Sequence, residues 1–313
     1  ASYLATPLGP LAHELRADGC GAILCHEYEY PRFDVAVGLG RWLRLPVFAT
    51  FQGAVPGGSL IQRPLRRLAV HAAAGLIIAS EREAQRVRDR YRLPPERVAA
   101  IPNPMDVARF RPLPKDAVRA ELGIPADARV VVWQGRVEVD KKGLDVLLDA
   151  WTRVCQQHGA HSPLLLLVGT GRDEDVLRQL IQAAPPATIR WVDRYVTDRE
   201  LLWRYLAAAD IATLPSRREG FAVAVVESMA CGLPVVAADA TGVVDALGEG
   251  EEAAGVVVAR EDAGALAVAL GRLIADDTLG RALGALGRRR AEEQFSLEVV
   301  GRRLRRFLWH DRG

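Results

Sequence analysis

From Arg129 onward, short apolar runs alternate with longer segments whose apolar residues recur at helical intervals. The runs are residues 130–133, 164–168, 189–192, 211–214, 235–238 and 255–258. They are β-branched or Leu-rich and apolar on both faces, which is how strands of a parallel sheet covered on both sides read. Between them, residues 143–158, 173–183, 198–208 and 222–231 predict helices. Thr197-Asp198 ahead of Glu200 offers one of these helices an N-terminal cap. Alternation of this kind predicts a doubly wound α/β sheet.

The first part of the chain has the same grammar with fewer units. Residues 22–25, 46–49 and 75–78 read as strands, and 34–43, 63–74 and 81–91 as helices. Three strands are few for a sheet of this type, so this first domain is expected to be cut short at its beginning. Between the two blocks, residues 101–125 hold Pro102, Pro104, Pro112, Pro114 and Pro125, the composition of a linker. The expected division is an N-terminal domain of residues 1–112 and a C-terminal domain of 113–295. A last amphipathic helix, 296–310, carries Leu297, Val300, Leu304, Phe307 and Leu308 as its apolar face.

Composition narrows the class without deciding it. Of 313 residues, half are hydrophobic and about a quarter are charged, an ordinary globular balance. No apolar run approaches the roughly 18 residues of a spanning helix. Cys20, Cys25, Cys155 and Cys231 have no metal-ligand spacing, and the six histidines form no cluster. No metal site is expected, and a reduced, cytoplasmic setting is the default. Residues 1–115 carry 16 Lys and Arg against 10 Asp and Glu, the remainder 25 against 29. A basic first part can face an anionic partner or be a solvated surface. Arg63, Arg66 and Arg67, with Arg302, Arg303, Arg305 and Arg306, raise peripheral contact with the inner membrane surface as a hypothesis. Aromatics are sparse and no nucleic-acid-binding module is present, so no nucleic-acid partner is expected.

The candidate chemistry lies at the predicted strand ends, where open α/β sheets bind ligands. Gly135-Arg136 follows the strand at 130–133, and Lys142-Gly143 opens a helix. Two cations at that edge suit a diphosphate, which Arg can clasp in two places. The strand at 164–168 ends in Gly169-Thr170-Gly171, where a backbone can approach a ligand closely. No complete GxGxxG or Walker sequence occurs. The most informative stretch runs from Pro215 to Glu227. A strand ends, a loop carries Glu219, and a helix begins near Ala222 with Glu227 inside it. Its first amides, those of Phe221 to Val223, can hold an anion. Glu227 on a mostly apolar helix is costly to bury without partners, which favours a ligand contact over a filler.

These motifs, in order, resemble the retaining glycosyltransferases of the family-4 type, which have the GT-B fold. The ordered set is Gly135-Arg136 with Lys142-Gly143, Leu167-Val168-Gly169-Thr170-Gly171, Ala209-Asp210, Pro215-Ser216, Glu219 with Glu227, and Met229 through Val236. Ile101-Pro102-Asn103 with Asp106, Phe110 and Pro112 resembles the family's linker, and Phe295-Ser296 the start of its last helix. The resemblance implies two Rossmann-like doubly wound parallel-sheet domains, the N-terminal one truncated. It implies a nucleoside-diphosphate sugar, UDP- or GDP-linked, as donor substrate, no cofactor and no metal. The acceptor is open: a glycan, a lipid or a small molecule. Arg136, Lys142 and Glu219 are the implied catalytic residues. The two cations hold and stabilise the leaving diphosphate, and Glu219 contacts the sugar. Glu227 accepts from the ribose, Tyr195-Val196 lie by the base, and the backbone from Gly220 to Val223 meets sugar and phosphate. Gly135, Gly169, Gly171 and Gln52 complete the donor set.

The sequence departs from that pattern in places. Ala222 stands where the family has Gly, which predicts a slightly tighter sugar pocket. Thr241-Gly242-Val243-Val244-Asp245 replaces Gly-Gly-x-Pro-Glu. Gln52 in Thr50-Phe51-Gln52-Gly53 stands where many members carry His, and it cannot gain charge near neutral pH. Nothing before Ala22 resembles the family's glycine-rich loop, so two or three βα units are expected to be missing. The competing reading is a non-catalytic sugar-nucleotide-binding protein without a complete acceptor domain.

Overall fold

The computed structural model describes residues 7–51, 62–159 and 163–309. They fall into two compact units, one from residues 1–103 with 301–313 and one from 104–300.

The first unit runs α1 (Leu8–Ala17), β1 (Ile23–Cys25), α2 (Pro31–Leu43), β2 (Val47–Phe51), α3 (Gln62–Ala72), β3 (Gly75–Ile78), α4 (Glu81–Tyr91) and β4 (Val98–Ala100). Its sheet is parallel in the order β1-β2-β3-β4. The pattern does not predict β4, because three residues behind a Pro-Pro turn are too few to show a period. The core gathers Tyr28, Phe33, Val70, Leu76, Ile78 and Val87. Within it, Arg66 is buried and clasps Asp34 through two hydrogen bonds of 2.6 and 2.9 Å, with Glu29 at 3.6 Å. This corrects the reading of Arg66 as part of a basic surface. A buried guanidinium needs carboxylates, and here it has two. Arg63 and Arg67 are exposed. Phe307, from the last helix, packs against Phe48 at a centroid distance of 5.8 Å. Phe307 also lies so close to Gly75 that a side chain there would collide with its ring.

The second unit contains α5 (Lys115–Leu122), β5 (Val130–Gln134), α6 (Val139–Lys142), α7 (Leu144–His158), β6 (Leu164–Val168), α8 (Glu174–Ala183) and β7 (Ile189–Val192). It continues with α9 (Arg199–Ala207), β8 (Ile211–Leu214), α10 (Val223–Ala230), β9 (Val235–Ala238), α11 (Val243–Leu247), β10 (Gly255–Val258), α12 (Ala263–Ala275) and α13 (Asp277–Arg290). The start of α14 (Leu297–Trp309) closes it. The sheet is parallel in the order β10-β9-β8-β5-β6-β7. The chain winds outward from β5 to β7, then returns to place β8 on the other side of β5. That reversal is a topological switch point, where open α/β sheets form a crevice beyond their strand ends.

Residues 130–133 are fully buried, as the double-faced apolar pattern requires. The helices α7 and α12 cover one face through Leu147, Trp151, Leu266 and Leu270. The apolar pattern predicts no helix over residues 263–290. In α12 the run Ala265 to Leu270 is apolar on every side, so the helical period is hidden there. Asp198 caps α9, accepting from the Glu200 N–H at 2.8 Å, as its position predicts.

The proline-rich segment is not a free linker. Met105 donates its N–H to Phe295 and accepts from Leu297. Phe110 is buried, and the Trp203 indole donates to the Arg111 carbonyl at 2.6 Å. Residues 104–112, expected with the first part, are therefore tied to the second. Pro114 then leads directly into α5.

Asp210 explains why an acidic residue precedes β8. It accepts from Lys115 at 2.6 Å, Arg119 at 2.8 Å and the Val130 N–H at 2.7 Å. One carboxylate thus joins α5, the start of β5 and the start of β8.

Candidate functional site

At the carboxyl edge of the second sheet lies a cavity of about 180 Å³. It is lined by Gln134 to Arg136 after β5, Val168 to Thr170 after β6, Tyr195 and Val196, and by Arg199, Leu202 and Glu227. That is smaller than the roughly 300–1,000 Å³ of a complete small-molecule pocket, and it suits one part of an extended ligand.

Glu227 sits at its base with 4% of its surface exposed. Buried carboxylates need partners, and both oxygens have one. Gln134 donates to Oε2 at 2.6 Å, and Arg199 lies 2.7 Å from Oε1. A carboxylate has about four acceptor positions, so capacity remains for further donors. Arg199 also stacks over Phe110, 4.7 Å from the ring centroid. Sequence reasoning missed Gln134 and Arg199. Signals were present for both. Gln134 is a polar residue ending a wholly apolar strand. Arg199 opens a helix, where the positive end of the dipole disfavours a cation.

Arg136 is mostly exposed beside this cavity. Its guanidinium is held above its ordinary pKa, chiefly by a hydrogen bond to the Tyr195 side chain and the electrostatic interaction with it, and after these by the charge of Glu138. Gly169 supports the same edge: at φ +134° any side chain would run into the Gly135 carbonyl. Gly171 likewise lies against the backbone of Val137.

Lys142 and Glu219 form a second group, 2.7 Å apart and largely buried. Two chain segments meet there. Gly143 has φ +63°, and its Cα approaches the Pro215 carbonyl so closely that no side chain fits. Arg217 N–H donates to the Lys141 carbonyl at 3.1 Å. The Arg217 guanidinium clasps Asp145 at 2.8 and 2.7 Å and reaches the Asp140 carbonyl at 2.8 Å.

The structure therefore brings Gly135, Arg136, Gly169, Tyr195, Val196 and Glu227 around one cavity. It pairs Lys142 with Glu219 outside that lining. Gly220 and Val223 are partly exposed, whereas Phe221 and Ala222 are buried, with Phe221 packed on Phe295. Ala222 takes φ −79°, which an alanine adopts without strain. Gln52 lies outside the described residues. Among the described residues, no three of His, Cys, Asp and Glu converge as a metal site.

Comparison with known proteins meets this geometry from both sides. The model described as Glycosyltransferase Family 4 matches residues 2–109, and that described as Glycosyl transferases group 1 matches 128–276. The chain belongs to the family-4 glycosyltransferases. Among curated relatives, the D-inositol 3-phosphate glycosyltransferase of Jonesia denitrificans is 32% identical over 236 residues, covering 72% of this chain and 54% of that protein. A GDP-mannose-dependent monoacylated α-(1-6)-phosphatidylinositol monomannoside mannosyltransferase of Corynebacterium glutamicum is 32% identical over 218 residues, covering 66% and 55%. The chain spans about half the length of the curated relatives it matches.

The fold has equally clear counterparts. A Rickettsia africae glycosyltransferase matches with TM-score 0.81 at 16% identity, covering 98% of this chain and 83% of that one. Anabaena HepE, crystallised with UDP, matches with TM-score 0.80 at 20% identity, covering 96% and 81%. This family-4 chain thus has the two parallel-sheet units of the GT-B class.

Proposed function

We propose that this chain transfers a sugar, with retention, from a UDP- or GDP-linked donor to an acceptor hydroxyl, without a metal. The observation that carries the reading is the cavity at the switch point of the second sheet. There a buried carboxylate, Glu227, is held by two donors beside Arg136 and the Tyr195-Val196 turn. In this reading Glu227 takes the ribose hydroxyls on its remaining acceptor positions. Tyr195-Val196 border the base. Arg136 and Lys142 face the diphosphate, and Glu219 the sugar.

The chemistry follows from charge. As the nucleoside diphosphate leaves, negative charge grows on its bridging oxygen, and fixed cations aimed at it lower the barrier. Such cations can take over the neutralisation that a divalent ion supplies elsewhere. The curated relatives' names, which include a GDP-mannose-dependent enzyme, support a nucleotide-sugar donor. The same names support an inositol phosphate or phospholipid-linked glycan as acceptor class. No described helix is long and apolar enough to cross a membrane. The exposed Arg63 and Arg67 leave a cytoplasmic protein with peripheral membrane contact as part of the proposal.

The test is calorimetric titration with UDP, GDP and their sugar conjugates in the presence of EDTA, followed by NMR of any product's anomeric proton. Binding of one nucleotide family and an α-linked product are expected. A β-linked product, or no binding of either nucleotide, overturns the reading.

A further inference from the structure

Arg217 belongs to no part of the donor set, yet it is the most heavily engaged side chain of the loop that carries Glu219. Its guanidinium holds both oxygens of Asp145, at the start of α7, at 2.8 and 2.7 Å. It also donates to the Asp140 carbonyl at 2.8 Å and lies 3.3 Å from Glu261. The Arg217 N–H donates to the Lys141 carbonyl at 3.1 Å, and Arg218 reaches Asp140 at 2.9 Å. Every one of these contacts except that to Glu261 joins the loop after β8 to the segment spanning α6 and the start of α7. Those two segments carry the members of one ion pair, Glu219 and Lys142.

The chemistry of the two partners supports a fixed joint. Burial is the largest influence on the Asp145 carboxylate and raises its pKa, but the hydrogen bonds and charge of Arg217, with backbone N–H donors of Val146 and Asp145, together hold it below the ordinary range. Two parallel bonds between a planar guanidinium and a carboxylate fix direction as well as distance, which a lysine cannot do. The clasp also spares Lys142 and Glu219 from locating one another by their own flexible side chains.

We propose that Arg217 is a positioning residue that, by clasping Asp145, sets the separation of Lys142 and Glu219 and aims Lys142 at the donor diphosphate. The proposal rests on the donor reading above for the identity of the ligand only. The joint itself is independent of it.

The experiment therefore has a ligand-free arm and a ligand arm. Crystal structures of R217A, R217K and D145N should show the Lys142–Glu219 pair opened beyond 4 Å in R217A and D145N. An unchanged 2.7 Å pair in R217A overturns the proposal whether or not any nucleotide binds. In the ligand arm, UDP and UMP are titrated into wild type and R217A, with circular dichroism to show that each variant is folded. Affinity for UDP should fall about tenfold while that for UMP stays within a factor of about two. Equal loss of both, or of neither, means that Arg217 serves only the fold and overturns the proposal. R217K should not rescue UDP binding, because charge without the two-bond clasp leaves the direction free. Full rescue by R217K overturns it. If wild type binds neither UDP nor GDP, the donor reading fails, and the structures alone decide on the joint.

Discussion

Arg199 Nη2 lies 2.7 Å from Oε1 of Glu227, joining the first residue of α9 to the middle of α10. The two ends of this contact are unequal. The Arg199 side chain is nearly half exposed, whereas that of Glu227 is almost wholly buried. Losing the arginine therefore leaves a buried carboxylate with Gln134 as its side-chain partner among the described residues, whereas losing the glutamate releases a cation that water can solvate. Arg199→Ala should destabilise the second unit by about 1–3 kcal/mol. In a Glu227→Gln background the same substitution should cost only the stacking on Phe110, about 0.5–1 kcal/mol. Urea titrations of the four proteins measure the difference, and equal costs in both backgrounds would show the contact to be incidental.

Arg136 gives the opposite separation. Its side chain is mostly exposed. Arg136→Ala should leave the melting temperature nearly unchanged. If the proposed role is right, transfer should fall by about 10²–10³, the scale of one lost preorganised charge contact. Differential scanning fluorimetry and a donor-turnover assay on the same preparation read both quantities.

Asp210 makes acid stability testable. Burial raises its pKa, but hydrogen bonds from Lys115 and the Val130 N–H, with the charge of Arg119, leave it below the ordinary range. A depressed folded pKa means that the ionised group stabilises the fold above the unfolded value of about 4, and that this contribution fades as pH falls through the folded value. Asp210→Asn should cost about 3 kcal/mol at neutral pH, as for a broken buried pair. Its stability should also vary less than the wild type's between pH 5 and pH 2, on the order of one carboxylate's share. Urea midpoints across that range provide the check, and parallel pH curves for the two proteins would contradict it.

Gly143 is a backbone requirement. At φ +63°, with the Pro215 carbonyl against its Cα, alanine meets both a dihedral penalty and a collision. Gly143→Ala should destabilise by about 1–3 kcal/mol and separate the Lys142 and Glu219 segments. Gly123, also at φ +62° but with open space around it, is the control. Gly123→Ala should cost only the dihedral share, about 1 kcal/mol. Thermal melts of the two variants decide between steric and purely conformational cost.

The strands were legible because a short run of mostly apolar residues stands out against its polar flanks, even in β7 and β10, which lie only partly buried at the two edges of the sheet. Residues 164–168, 189–192, 211–214, 235–238 and 255–258 needed no structure to be found, and each forms a strand over those residues. Glu227 stood out for the same reason, as a charge inside an apolar helix. Helices α12 and α13 and strand β4 were not legible. The first has no polar face where it packs, β4 is too short to show a period, and α13 lacked any flanking strand to mark its place.

The sequence by itself determined which segments are strands, which helix carries a buried carboxylate, and that cations follow β5. Only the tertiary structure decided the partners of those charges. Pairing is set by which strand ends become neighbours, and β8 lies beside β5 only because the chain reverses after β7. That reversal brings Glu219 to Lys142, and Glu227 to Gln134 and Arg199. In the first unit, the packing of α2 against α3 likewise turned Arg66, one of a row of arginines in the sequence, into a buried partner of Asp34. A local pattern records whether a side chain leaves water, while the identity of what it meets depends on contacts between distant parts of the chain.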